Sequence, residues 1–185
     1  MINFRDLTAD EIECRVQSVK DNGLVLLLYK DARVDMNILD ETVGAENWQR
    51  MHYECKGNLF CQVGINCHLE RKSGLTSSGI DHYQEWIWKS DCGTESNTEA
   101  QKGEASDSFK RACFNWGIGR ELYTAPFTWI DSKQCNIKQT GNGYKCFDKF
   151  IVEKIKIENK QIIALAIWNV TKNCRAFIWQ KEGRI

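Results

Sequence analysis

The chain has 185 residues, 42% hydrophobic and 27% charged, with Lys plus Arg and Asp plus Glu both at 25, so its formal net charge is zero. That balance suits a globular protein of about one domain, excludes disordered, collagen-like and coiled-coil chains, and needs no staples to bury a core. With no bulk positive charge, any site for a polyanion has to come from local segregation of cations.

No apolar run approaches the roughly eighteen residues of a membrane span. The N-terminus, Met1-Ile-Asn-Phe-Arg5-Asp-Leu7, lacks the basic-then-apolar order of a secretory signal. The nine cysteines are an odd number and contain no Cys-x-x-Cys pair. The expectation is therefore reduced thiols in a cytosol, several serving as small core hydrophobes, with no metal and no cofactor.

Taken in chain order, Thr8-Ala-Asp-Glu11 has the form of a capping box, which predicts a first helix to about Lys20, stopped by Asp21-Asn22-Gly23. Leu24 to Tyr29 is a short apolar run expected to form a buried strand. Ala32 to Val43 has helical periodicity and ends at Gly44. Trp48 to Lys56 is expected to be extended and to turn at Gly57-Asn58. From Leu59 to Glu70 apolar and polar residues alternate, with Phe60 the exception, the strongest strand signal in the chain. A Ser/Gly turn over Lys72 to Gly79 leads to a strand from Tyr83 to Ser90, with Trp86 and Trp88 on one face. The three strands predict an antiparallel meander.

Thr98 with Gln101 can cap a second helix running to about Trp116. Its residues Ala105, Phe109, Ala112, Cys113 and Trp116 fall within about 100° on a helical wheel, forming a core stripe. Gly117-Ile118-Gly119 ends it. After Pro126, the only proline, strands return. Phe147 to Ile157 and Gln161 to Asn169 flank the turn Glu158-Asn159-Lys160, and Arg175 to Gln180 adds another strand. The pattern is α+β: an antiparallel βββ meander packed on a helix, with an N-terminal helix and a β-rich C-terminal extension.

Catalytic motifs are missing. The three histidines, His52, His68 and His82, form no metal or nucleophile motif. His68 and Cys67 are strand neighbours and point to opposite faces, so they cannot form a dyad. The acids Asp31, Asp35, Asp40, Glu41 and Glu46 read as a solvated helix face. The cations are more informative. On the second helix Arg111 projects opposite the core stripe, Lys110 lies on the flank, and Phe114 falls between them. A ring between two cations suits either a protein interface or base stacking. The bland reading pairs Asp107 with Arg111 four residues on, at about 0.3–0.5 kcal/mol. On the first periodic helix the polar face holds Arg33, Asn37, Asp40 and Glu41, while Asp35 and Thr42 interrupt the apolar arc.

Two stretches resemble a known family. Tyr29-Lys-Asp-Ala-Arg33-Val-Asp-Met36-Asn-Ile-Leu39-Asp40-Glu41-Thr-Val-Gly44-Ala-Glu-Asn47-Trp48-Gln49 resembles the first signature of the phage branch of the Rad52-type single-strand annealing proteins. Glu99-Ala-Gln-Lys102-Gly103-Glu-Ala-Ser106-Asp107-Ser-Phe109-Lys110-Arg111-Ala112, followed by Trp116-Gly117-Ile118-Gly119-Arg120-Glu121-Leu122-Tyr123, resembles the second. The resemblance covers about residues 5 to 130.

It implies a non-enzymatic protein that binds single-stranded DNA by its backbone, bases outward, and anneals complementary strands without ATP in phage recombination. It also implies ring or helical homo-oligomers in a bacterial host cytoplasm, with a single-strand binding protein or an exonuclease as further partners. By resemblance Arg33, Lys110 and Arg111 contact phosphates, and Lys102 and Arg120 are secondary candidates. The annealing core is expected over residues 1–130, with a β-rich extension over 131–185 on the same domain. The rival readings are a double-stranded RNA or DNA binding module, an assembly protein that binds no nucleic acid, and a small metal or thiol enzyme.

Overall fold

A computed structural model describes residues 2–72, 80–94, 100–141 and 143–182. Its strands are β1 (Glu13–Lys20), β2 (Gly23–Tyr29), β3 (Trp48–Cys55), β4 (Asn58–Lys72), β5 (Ile80–Cys92), β6 (Thr128–Asp131), β7 (Ile137–Thr140), β8 (Gly143–Cys146), β9 (Phe150–Glu158), β10 (Gln161–Asn169) and β11 (Cys174–Gln180). Its helices are α1 (Ala32–Val43) and α2 (Ala100–Trp116). The mixed, mainly antiparallel architecture is the expected α+β fold. The chain divides into two compact units: Met1–Phe4 with Asp35–Ile118, and Arg5–Val34 with Gly119–Ile185.

The first unit holds the meander, in sheet order β3-β4-β5, as the alternation from Leu59 onward predicts. Cross-strand partners share a face, so Cys61, Val63 and Ile65 of β4 lie with His52, Arg50 and Trp48 of β3 and with Asp91, Lys89 and Ile87 of β5. That face is covered by α2. Cys61, Val63 and Ile65 are fully buried, as are Phe109, Ala112 and Cys113 of the helix. Burying a side chain the size of Phe109 contributes about 1.5–3 kcal/mol. Trp116 donates its indole N–H to the Val63 carbonyl at 2.9 Å, which joins helix to sheet.

The end of α2 depends on Gly117. Its φ of +103° lies in the region that side-chain-bearing residues avoid. There the Ile118 amide returns to the Cys113 carbonyl at 3.2 Å, closing the helix. The start of α1 is also local chemistry. Asp31 Oδ1 accepts the Arg33 amide at 2.8 Å, satisfying one of the orphan donors of the first turn. Of the two polar residues inside the apolar arc of α1, Asp35 is fully buried and Thr42 is exposed.

The second unit contains a sheet in the order β11-β10-β9-β1-β2-β6 and the separate hairpin β7-β8. A single bridge, Glu13 with Ile151, joins β1 to β9. Leu24, Leu26, Ile130, Ile162, Leu165 and Ile167 form its core. The strands expected after Pro126 are here, and the hairpin turn at Glu158-Asn159-Lys160 joins β9 to β10.

The first predicted helix is a correction. Ala9–Glu11 is a single 3-10 turn, and Glu13–Lys20 is strand β1, paired with β2 through the Asp21-Asn22 turn. The capping interaction is present, since Glu11 Oε2 accepts the Thr8 amide at 2.9 Å. The residues after Ile12 are extended rather than helical because Cys14, Val16 and Val19 turn the less exposed side of a strand inward, and Leu24 to Leu28 supply a partner. Tertiary pairing overrides a cap of a few residues. The caps expected at Thr98 and the Ser/Gly turn over residues 73–79 lie outside the described residues.

Candidate nucleic-acid interface

The α2 helix lies on the meander with a distinct set of contacts at each side. On the β5 side, Arg111 Nε donates to Asp91 Oδ1 at 3.2 Å, and Asn115 Nδ2 donates to the Ser90 carbonyl at 3.0 Å. Lys89 Nζ lies 4.4 Å from the Trp116 ring centroid and donates to the Asn115 carbonyl at 3.0 Å. That ammonium sits where the helix dipole is negative and is spent on the fold. On the β3 side, the Trp48 and Phe109 rings stack at 6.1 Å, and His52 Nε2 donates to the Ala105 carbonyl at 3.2 Å. The Arg50 guanidinium lies 4.7 Å over the Phe109 ring.

Successive helix residues rotate by about 100°. Phe109 meets β3 and Arg111 meets β5, so Lys110 falls on the outer face toward β3. Phe114 lies between the two cations, half-buried. The Lys110 ammonium has no hydrogen bond or ion pair among the described residues, whereas Arg111 is partly neutralised by Asp91. Asp107, the sequence candidate for pairing with Arg111, accepts the Thr94 amide at 3.0 Å and the Thr94 hydroxyl at 3.1 Å.

Lys110 and Arg111 therefore come together on one helix of the first unit. Arg33, on the first turn of α1, and Arg120, on the 3-10 turn Arg120–Thr124, are both exposed and belong to the second unit. Lys102 lies on α2, and its side chain is outside the described residues. Arg50, seated over Phe109, is a cation that sequence reasoning did not single out. The available signal was strand parity with Trp48, which puts Arg50 on the helix side of β3.

The opposite face of the meander is chemically different. Tyr53 stacks on Phe60 at 5.5 Å and Trp86 on Trp88 at 6.1 Å. Gln62 and Asn66 share that face by register. Met51, Tyr53, Trp86 and Trp88 are all exposed. The sequence placed Trp86 and Trp88 together; their contact is a consequence of strand alternation.

Burial pushes the Cys14 thiol up to about 12 and the Cys61 and Cys135 thiols up to about 11. Among the described residues, no group of three or more His, Cys, Asp or Glu side chains is placed to hold a metal ion, and no helix is long and apolar enough to cross a membrane.

A βββα unit whose helix turns a lysine, an arginine and an aromatic ring outward defines a class of cation-bearing α+β domains. A family model described as Rad52/22 family double-strand break repair protein matches residues 5–140. The chain belongs to this family, which places it in DNA recombination and repair, with single-strand annealing as the activity at family level. No curated protein and no solved structure matches the chain.

Proposed function

We propose that this protein is a phage-encoded, ATP-independent annealing protein that acts as an oligomer on single-stranded DNA. The observation that carries the reading is the outer face of α2. There Lys110 and Arg111 flank Phe114, opposite a core stripe whose Phe109, Ala112 and Cys113 are fully buried. Cations that neutralise phosphates without reading base edges give sequence-independent binding and leave the bases free to pair. No acid, base or nucleotide is needed for that work, so the protein is read as a non-enzyme without a cofactor.

Lys110, Arg111 and Arg33 are the proposed phosphate contacts, with Lys102 and Arg120 secondary. One subunit has few such groups and no excess charge. Self-association into a ring or filament would repeat them along one strand and raise the effective concentration of each contact. Residues 1–130 serve as the annealing core and residues 131–185 as its extension. The host cytoplasm is the working compartment, and an exonuclease or a single-strand binding protein would hand over the DNA.

The test is annealing of complementary oligonucleotides by the purified protein without ATP, with particle size followed by light scattering. Wild type should anneal as a large particle. The double variant Lys110→Ala with Arg111→Ala should keep the particle and lose annealing. Normal annealing by that variant would remove the site assignment.

A further inference from the structure

Two cations of the meander lie over aromatic rings of α2, and they are used differently. Lys89 sits on Trp116 and donates to the Asn115 carbonyl at 3.0 Å. Arg50 sits 4.7 Å over Phe109 and has no hydrogen bond or ion pair among the described residues. Its ring partner is fully buried and stacked on Trp48, so it is a fixed wall. A guanidinium seated over such a wall spends its face on the ring and keeps its N–H donors for another partner. Arg50 is exposed, so those donors are open to a ligand. Lys110, the residue after Phe109, lies on the same side of the helix and also has no partner among the described residues.

We infer that Arg50 is a further phosphate contact of the single-stranded DNA site, taking two oxygens of one phosphodiester through its planar fork while Lys110 supplies a point charge beside it. The inference rests on the annealing reading and extends its site from α2 to the edge strand β3. Stacking on Phe109 removes part of the rotamer freedom that a free arginine would lose on binding. This explains how a chain with no net charge could hold a phosphate well with few cations.

The experiment is a salt titration of binding to a labelled oligothymidylate, comparing wild type, Arg50→Gln, Arg50→Lys and Lys110→Ala, with a thermal melt of each. Each phosphate contact on a single strand contributes a slope of about 0.7 in log affinity against log salt. Arg50→Gln should lower the slope by about that amount per subunit, as should Lys110→Ala. Arg50→Lys should keep the slope and bind more weakly, because a point charge replaces a fork. A structural role alone would lower the melting temperature and leave the slope unchanged. An Arg50→Gln slope equal to that of wild type, with a lowered slope for Lys110→Ala, overturns the inference and leaves the annealing reading standing. A lowered slope for Arg50→Gln alone keeps Arg50 and removes Lys110. Wild type that ignores the oligonucleotide at low salt overturns both.

Discussion

Arg111 Nε reaches Asp91 Oδ1 at 3.2 Å, so one of the two outward cations of α2 carries its own counter-charge. The pair is partly exposed, at 41% and 23% for the two side chains, so its contribution is about 0.2–1 kcal/mol. On the proposed reading, a phosphate at Arg111 would have to compete with Asp91. Asp91→Asn should therefore tighten binding to single-stranded DNA by about two- to fivefold at low salt. Fluorescence anisotropy measures this. The Asp91 side chain also accepts the Cys92 amide at 2.8 Å, so a small drop in melting temperature should accompany it. Arg111→Ala should lose both DNA affinity and up to about 1 kcal/mol of stability, and the two losses should be measured separately.

Gly93, just past the end of β5, lies against the backbone of α2. A Cβ there would lie 2.1 Å from the Glu104 carbonyl oxygen and 2.9 Å from the Ser108 amide nitrogen. Both are backbone atoms of α2 and cannot swing aside as a side chain could. The Gly93 amide also donates to the Leu59 carbonyl at 3.0 Å. Gly93→Ala should lower stability by about 1–3 kcal/mol, as overpacking does. Urea denaturation measures the loss.

Features with a repeating local signal were legible from the residues. The alternation from Leu59 placed β4, the Trp86 and Trp88 parity placed one face of β5, and the stripe from Ala105 to Trp116 placed α2. Signals of only a few residues misled. Thr8 to Glu11 has the chemistry of a helix start, but Glu13 to Lys20 form strand β1 because β2 is available to pair with them. Of the proposed site, only the placement of side chains along α2 was legible. Lys110 and Arg111 are readable from the helical wheel. The hold of Asp91 on Arg111 and the seat of Arg50 on Phe109 join residues far apart in sequence, and periodicity carries no information about such contacts.

Cysteine reactivity is set by burial. All nine cysteines are free thiols, and Cys55 is the exposed one. Cys61, Cys67, Cys113 and Cys135 are buried, and burial raises Cys14 to about 12 and Cys61 and Cys135 to about 11. A brief maleimide pulse at neutral pH should label Cys55 first, with the buried thiols reacting only after denaturation. Peptide mapping by mass spectrometry checks the order. Early labelling of Cys61 would mean that α2 lifts from the meander.

The Arg5–Glu11 pair gives a pH dependence with a defined sign. Arg5 donates to both Glu11 oxygens, Nη2 to Oε1 at 2.7 Å and Nη1 to Oε2 at 2.8 Å, and the Thr8 amide adds a third bond at 2.9 Å. The Arg5 guanidinium is the main reason that the Glu11 carboxyl is held down at about 2. A group whose folded value is depressed stabilises the fold above its unfolded value and loses that contribution as pH falls through the folded one. The unfolded value is near 4.5. The contribution of Glu11 should therefore be complete above about pH 5 and disappear between there and about pH 2. With the Arg5 side chain 36% exposed, solvent screening limits the contribution to about 1 kcal/mol. Glu11→Gln should be less stable than wild type by about that amount at pH 7. As the pH is lowered toward 2 the two proteins should converge in chemical denaturation, because the wild type then loses what the variant never had. A constant gap between them across that window would show that Glu11 acts through its shape and its bond to Thr8 rather than through its charge.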